Sequence, residues 1–431
     1  MGMTTDCKYK TDKKNVLSLF SGCGGMDLGF EGDFNVPVSC VNEKIHPDWI
    51  KERNGQFVKL QPTNFNIVFA NDIMDIAKTA WTSYFKKFGY KNIFHLESIV
   101  DLVKAYKNGK YKFPQNVDIV TGGFPCQDFS VAGKRKGFNS ERSHNGKKDY
   151  EVPTTETRGM LYLWMKEVIE ITKPKAFIAE NVKGLVSFGD VKQIIENDFR
   201  NIDKGYLVVP ARVLFAGDYG VPQKRERVIF IGFNKKYLKS DALSALSQSV
   251  ISKEYDPYPV KTHYDVSDKS MQLSVLQDAS KLKPYVTTSE VIRDLNEPQD
   301  ETKDLAQMSY SKAKYCPHSQ GQTEINLKGL APTIRAEHHG NIEYRRLSRM
   351  HGGKHTNELS QGLEERRLTV RECARFQTFP DDYLFVQAAE KTGRYKLSAS
   401  SAYKLIGNAV PPLLAYNIAK RLEELWDKLF V

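Results

Sequence analysis

The chain contains no apolar run approaching the roughly 20 residues that a membrane span needs. Its opening stretch, Met1 to Asn15, is polar and lysine-rich and lacks the apolar centre of a secretory signal, so the cytoplasm is the expected compartment. Cysteine is scarce. The six present (Cys7, Cys23, Cys40, Cys126, Cys316 and Cys373) are scattered without a Cys-x-x-Cys pair, which argues against a disulfide framework or a zinc knuckle. Cys316, His318, His338 and His339 match no common zinc spacing, and no metal is expected. Internal repeats and low-complexity tracts are missing. Acidic residues fall short of basic ones, 52 against 63, giving a net charge of +11 and a pI near 9.1. That surplus favours a polyanionic partner, since each Lys or Arg meeting a phosphate releases a counterion. At 431 residues, 40% of them hydrophobic, the chain is long enough for two domains with a real core.

Short β-branched runs alternate with helical stretches in the first half. Candidate strands are Val16–Phe20, Val36–Asn42, Ile67–Asn71, Val117–Thr121, Ala176–Glu180, Tyr206–Leu214 and Val228–Gly232, with periodic segments such as Gly159–Ile171 between some of them. This alternation predicts an α/β fold with a mostly parallel sheet. The last two candidates leave no room for a helix between them and should form an antiparallel hairpin at one edge. From about Phe233 to Glu365 the chain turns polar and turn-rich, as in His351-Gly352-Gly353-Lys354, and reads as a smaller irregular domain. Beyond it, Leu413, Leu414, Ile418, Leu422, Leu425 and Trp426 recur at helical spacing in a closing helix. The expected division is 1–232, 233–365 and a returning segment 366–431.

Two regions carry chemistry. Val16 to Phe30 is a strand, a glycine-rich turn (Gly22, Gly24, Gly25) and a helix start, a form that lets backbone approach a ligand closely. The third position of a dinucleotide fingerprint is Asp27, so a pyrophosphate grip is not encoded and a nucleoside ligand such as S-adenosylmethionine fits better. A plain tight turn would look the same. Glu43, about 20 residues on, is placed to accept from ribose hydroxyls; Asp72 could accept from an adenine amino group or simply cap the segment after it.

The second region is Val117 to Gln127, an apolar strand leading through Gly122-Gly123-Phe124-Pro125 to a thiol at the strand exit. Most cysteines are small buried hydrophobes. Cys126 differs by its position, and its thiolate would be the nucleophile. Glu180-Asn181-Val182 closes another strand and puts a carboxyl at the same sheet edge. In Gln223-Lys224-Arg225-Glu226-Arg227, alternation puts Gln223, Arg225 and Arg227 on one face. Gly133 to Gly137, with Lys134, Arg135 and Lys136, then Arg142, Lys147 and Lys148, form a basic, glycine-punctuated stretch after the cysteine, suited to phosphates.

In order, these pieces resemble the DNA (cytosine-5)-methyltransferase family of the prokaryotic restriction-modification type. The resemblance rests on Phe20-Ser21-Gly22-Cys23-Gly24-Gly25, Gly123-Phe124-Pro125-Cys126-Gln127, Arg158-Gly159-Met160-Leu161, Glu180-Asn181-Val182, Gln223 to Arg227, Arg367-Leu368-Thr369-Val370-Arg371-Glu372-Cys373-Ala374-Arg375, and Gly407-Asn408-Ala409-Val410-Pro411-Pro412. It implies a Rossmann-like S-adenosylmethionine-dependent domain facing a target-recognition domain, with the C-terminal segment returning beside the first motif. Phe20 would stack on adenine, Glu43 would hold the ribose, Asp72 the adenine amino group, and Asn408 would border the methionine end. Ser21, Gly22, Gly24, Gly25, Ile73, Pro125 and Ala409 complete the implied cofactor set. Implied DNA contacts are Gln127, Lys134, Arg135, Lys136, Thr333 (in Leu330 to Ala336, similar to the family's recognition signature) and Arg367.

The implied reaction adds Cys126 to carbon 6 of a flipped-out cytosine, with Glu180 serving N3 and Arg227, supported by Arg225, serving O2. A monomer associated with the nucleoid, acting on double-stranded DNA and paired with a restriction endonuclease, is the expected setting. Two departures stand out: extra residues over about Phe138–Thr157, and a segment from Asn92 to Pro114 for which the sequence suggests no role. A transfer-RNA methyltransferase of the same fold should carry a Cys-Phe-Thr tripeptide after the final strand, and none is present. A non-catalytic DNA-binding module would be expected to lose Cys126 or Glu180.

Overall fold

The computed structural model describes residues 12–125, 160–187, 189–267, 281–301, 303–336, 341–389 and 394–431. Its centre is an eight-stranded sheet. β1 (Lys14–Leu19) leads into helix α1 (Gly25–Glu31). A separate antiparallel sheet follows, made of β2 (Asn35–Pro37), β3 (Ile50–Asn54) and β4 (Phe57–Leu60). The chain then re-enters the main sheet as β5 (Phe65–Asn71), crosses over through α2 (Asp75–Phe85), and adds β6 (Phe94–His95), α3 (Ile99–Lys107) and β7 (Ile119–Gly123). Helix α4 (Leu161–Thr172), β8 (Ala176–Val182) and α5 (Val191–Arg200) come next. β9 (Tyr206–Val208), β10 (Arg212–Phe215) and β11 (Glu226–Asn234) close the domain. The order across the sheet is β10-β11-β8-β7-β1-β5-β6, with β9 also on β11. β8, β7, β1, β5 and β6 run parallel, and β11 is antiparallel to β8 and to β10, as the edge hairpin requires.

Both faces of the sheet are covered, which is why its strands read as continuous apolar runs. Val16, Ile67, Ile119, Ile178 and Ile229 pack into one core with α1, α2 and the C-terminal helix Pro412–Leu429. Their neighbours Leu17, Phe69, Val120, Phe177 and Val228 face a second core built with α3, α4 and α5. The C-terminal helix sits against α1 so closely that a Cβ on Gly29 would lie 2.4 Å from Ala415 Cβ and 2.6 Å from Tyr416 N. No helix among the described residues is long and apolar enough to cross a membrane.

Three expectations change. Val36–Asn42 is not a strand of the main sheet: only Asn35–Pro37 is extended, in the small insertion sheet, and a 3-10 turn over Val38–Cys40 follows. Tyr206–Leu214 splits into two strands with Pro210, which cannot donate to a ladder, between them. Asn92–Pro114, for which the sequence suggested no role, holds β6 and α3, one strand-helix unit of the parallel sheet. Between residues 233 and 365 regular structure is sparse, as expected, with short helices such as Thr288–Ile292 and two-residue or three-residue strands such as Tyr344–Arg346 paired with Arg366–Arg367.

Candidate active site

Among the described residues, the glycine turn after β1, Asp72 after β5 and Glu180 near the end of β8 lie toward the carboxyl ends of the parallel strands, where open α/β sheets bind ligands. After β1 the chain turns through Phe20 (φ 53°), Gly22 (φ 55°) and Gly24 (φ 79°). Phe20 holds left-handed backbone at a steric cost, a strain typical of functional turns. Gly24 cannot carry a side chain, since a Cβ there would fall 2.7 Å from Trp81 Cδ1, and a Cβ on Gly25 would fall 2.2 Å from Val410 O. Gly22 is different: a Cβ there would meet nothing within 4 Å, so the turn opens onto free space at that point.

The turn is pinned from two sides. Gly22 N donates to Asp72 Oδ2 at 3.0 Å and Ser21 N to Asn71 O at 2.8 Å. Beneath it, Asp27 accepts from Ser18 Oγ at 2.5 Å and from Trp81 Nε1 at 2.6 Å, and burial pushes its carboxyl up to about 6. Asp72 is buried, and burial raises its pKa against the opposing bonds from Met74 N and Gly22 N. Ile73 beside it stands 46% exposed, an apolar side chain held at the mouth of the turn.

Strand order corrects the reading of the acidic residues. β5 is the strand directly beside β1, and β6 lies beyond it. The acidic position at the end of that neighbouring strand, the ribose position of such folds, is therefore Asp72. Glu43 lies instead in the insertion, after the 3-10 turn, in an ion pair with Arg53. The next loop out, after β6, carries Glu97, exposed, with Ser98 capping α3 through its bond from Val100 N. Sequence reasoning passed over Glu97 because a two-residue strand leaves almost no periodic signal.

At the centre of the edge, β7 ends in Gly123-Phe124-Pro125. Cys126 and Gln127, the basic stretch with Lys134, Arg135, Lys136, Arg142, Lys147 and Lys148, Arg158, and the extra residues 138–157 lie outside the described residues. The approach to the cysteine is anchored by Asn181 Nδ2, which donates to Phe124 O at 3.1 Å. Glu180 pairs in register with Gly123 on one side and with Ile229 on the other. A Cβ on Gly123 would fall 2.8 Å from Glu180 Oε2, so the carboxyl lies over the glycine three residues before Cys126. Arg227 Nε donates to Glu180 Oε1 at 2.7 Å, the two side chains being 10% and 9% exposed. Burial raises the Glu180 pKa, while Arg227 and Arg225 oppose the rise. The direction is upward: desolvation outweighs the ion pair.

Two further residues need correction. Arg225 reaches no reacting position. It is wholly buried, and its guanidinium donates to the carbonyls of Ile334, Gly407 and Ala409. Arg367 was expected on DNA, but Nε donates to Ala313 O, Nη1 to Gly321 O and Ile342 O, and Nη2 to Lys314 O and Gln322 Oε1. All five donors of the fork are used inside the protein, and Tyr344 stacks on it at 4.1 Å. Thr333 is half-buried and donates through Oγ1 to Lys224 O. Asn408 is exposed, and Pro125 and Ala409 are half-buried.

The described residues thus set a glycine turn clamped by Asp72 and a buried Glu180–Arg227 pair on one Rossmann-like sheet, the fold class of S-adenosylmethionine-dependent methyltransferases. The profile of C-5 cytosine-specific DNA methylase matches residues 14–424, and the chain belongs to that family. It is 32% identical over 418 residues to the Type II methyltransferase M.BsuRI of Bacillus subtilis, covering 95% of this chain and 79% of that one. It is 31% identical to the Type II methyltransferase M.BspRI of Lysinibacillus sphaericus, covering 97% of this chain and 84% of the relative. Among solved structures, Spodoptera frugiperda DNMT2 shares the fold with a TM-score of 0.50 at 15% identity, over 96% of this chain and 100% of that one.

Proposed function

We propose that the protein methylates carbon 5 of a cytosine in double-stranded DNA, using S-adenosylmethionine. The observation that carries this reading is the buried Glu180–Arg227 pair lying over Gly123, at the strand exit that leads to Cys126. A carboxyl whose pKa is raised by burial can hold or share a proton with ring nitrogen N3, and the adjacent guanidinium offers positive charge to O2.

The residues around the glycine turn fit the methyl donor. Gly22 opens onto free space, and Ile73 and Glu97 are exposed; on this reading Asp72 would meet the ribose, Phe20 and Ile73 the adenine ring, and Glu97 the adenine amino group. Asn408 and Ala409 border the methionine end. When bound, S-adenosylmethionine supplies an electrophilic methyl group for carbon 5. The chain's own residues prepare that carbon. Cys126 Sγ adds as thiolate to carbon 6, and the displaced π electrons are accommodated by protonation or hydrogen bonding at N3 through Glu180. Arg227 holds O2. Once carbon 5 is substituted, its proton passes to water, the C5–C6 double bond re-forms, the thiolate leaves and N3 gives back to Glu180 any proton it took.

A cytosine in a duplex must first be flipped out, at a cost of a few kcal/mol. Lys134, Arg135, Lys136 and Gln127 are our candidates for contacting DNA near the flipped base, with Thr333 on the recognition side. We assign residues 1–232 to catalysis, 233–365 to target recognition and 366–431 to a segment that returns to the catalytic part. The likeness to Type II methyltransferases favours an enzyme that protects DNA against a paired endonuclease, and we assign it as a monomer. Bisulfite sequencing of DNA from cells expressing the chain tests the proposal. 5-Methylcytosine should appear at one short sequence and disappear with Cys126→Ser; unmodified DNA, or modification that persists in Cys126→Ser, would overturn it.

A further inference from the structure

Arg225 joins three parts of the molecule through one guanidinium. Nη1 donates to Ile334 O at 3.2 Å, and Nη2 donates to Gly407 O at 2.9 Å and Ala409 O at 2.6 Å. Ile334 follows Thr333 on the recognition side. Gly407 and Ala409 flank Asn408 on the methyl-donor side. Two residues beyond Arg225, Arg227 holds Glu180.

The backbones around this fork are in close register. Lys224 N donates to Ala331 O at 2.8 Å, and Ala331 N donates to Pro222 O at 3.0 Å. Gly407 approaches the recognition segment so tightly that a Cβ on it would stand 2.4 Å from Ala336 N and 2.4 Å from Arg335 C. Arg225 is wholly buried, so its charge leans on these carbonyl dipoles as well as on the Glu180 carboxylate. Shifting either segment away strips acceptors from a charge that water cannot reach. A lysine offers its three donors from one nitrogen instead of a planar fork of separated ones, so it cannot reproduce the spacing by which Nη1 and Nη2 reach two segments.

We propose that Arg225 is a positioning residue that couples the methyl-donor side of the site to the recognition segment, so that filling either one firms the seating of the other. The inference rests on the proposed function, which supplies the two ligands. By linkage the effect must be reciprocal.

The test measures S-adenosylhomocysteine affinity calorimetrically with and without a duplex carrying the methylated sequence. It is run on wild type, Arg225→Lys and Gly407→Ala. Wild type should bind S-adenosylhomocysteine about tenfold tighter with the duplex present, and in each variant the ratio should fall below about threefold. A purely structural role would lower both affinities and leave their ratio unchanged; that result overturns the proposal. Should the variants not fold, hydrogen exchange on the wild type decides. Duplex alone should slow exchange at the amides of Gly407–Ala409, and S-adenosylhomocysteine alone should slow it at Ile334–Ala336; no change at either refutes the coupling. A wild type that methylates no DNA would sink the proposed function, whereas a methylating wild type whose ratio survives in Arg225→Lys sinks only this inference.

Discussion

Glu180→Gln separates the proton-handling role of this carboxyl from its structural one. The amide keeps an oxygen that can accept from Arg227 Nε, now at 2.7 Å from Glu180 Oε1, but the bond is then assisted by the guanidinium charge alone. The stability loss should therefore be modest, about 1 kcal/mol. Glu180→Ala leaves the buried guanidinium without its partner and should cost about 3–5 kcal/mol. Activity should respond differently, since neither variant can give a proton to N3. Loss of a positioned acid lowers the rate by about 10²–10⁴, or roughly 3–5 kcal/mol of barrier.

The pH dependence has a definite sign. Burial raises the Glu180 pKa above its ordinary 4.5, so the folded protein holds this proton to higher pH than the unfolded chain does. The resulting stabilisation is complete below about pH 4.5 and is lost as pH rises through the raised value. Glu180→Gln lacks it, so the variant should gain on wild type in melting temperature as pH increases across that window. Single-turnover methyl transfer at saturating DNA and S-adenosylmethionine, with thermal melting at several pH values, measures both effects. A Glu180→Gln rate within about threefold of wild type would refute the assignment of N3 to this residue.

Three other outcomes follow from the packing and the site. Gly29→Ala drives a methyl group into Ala415 and the backbone of Tyr416, and overpacking of this kind costs about 1–3 kcal/mol. Differential scanning calorimetry should show a melting temperature lower by several degrees, and an unchanged value would mean that α1 and the C-terminal helix do not meet. Asp72→Ala should weaken S-adenosylhomocysteine binding at least about tenfold by titration calorimetry, the scale of a lost charged hydrogen bond, while Glu43→Ala should change it less than twofold. The reverse ranking would restore Glu43 to the ribose. Asp27, raised to about 6 by burial, adds stability that is full below about 3.8 and gone once pH passes about 6. Asp27→Asn should therefore flatten the melting profile over that interval, and a parallel profile would place its carboxyl in water.

Much of the site is legible along the chain because each of its motifs is local. The glycine turn after β1, the thiol after β7, Glu180 at the end of β8 and Arg227 at the start of β11 each follow a recognisable apolar strand. Those strands stand out because both faces of the sheet are dry. Other positions carry no local mark. Three arginines in similar motifs look alike in sequence, yet Arg227 meets Glu180, Arg225 bolts backbones together, and Arg367 spends every donor on Ala313, Lys314, Gly321, Gln322 and Ile342. All three are buried; their partners separate them, and those come from segments as much as 184 residues away, as in the bond from Arg225 to Ala409.

The amino-acid order alone determined the parallel α/β class, the glycine-rich turn after β1 and the family, and it suggested Cys126, Glu180 and Arg227 as one chemical set. Tertiary structure decided which acid stands beside the ligand turn. That choice is made by which strand hydrogen-bonds to β1, and β5 does so only because residues 35–60 fold aside into a sheet of their own. Spacing along a chain measures covalent distance, whereas a binding site is assembled by strand pairing and by what is shut away from water.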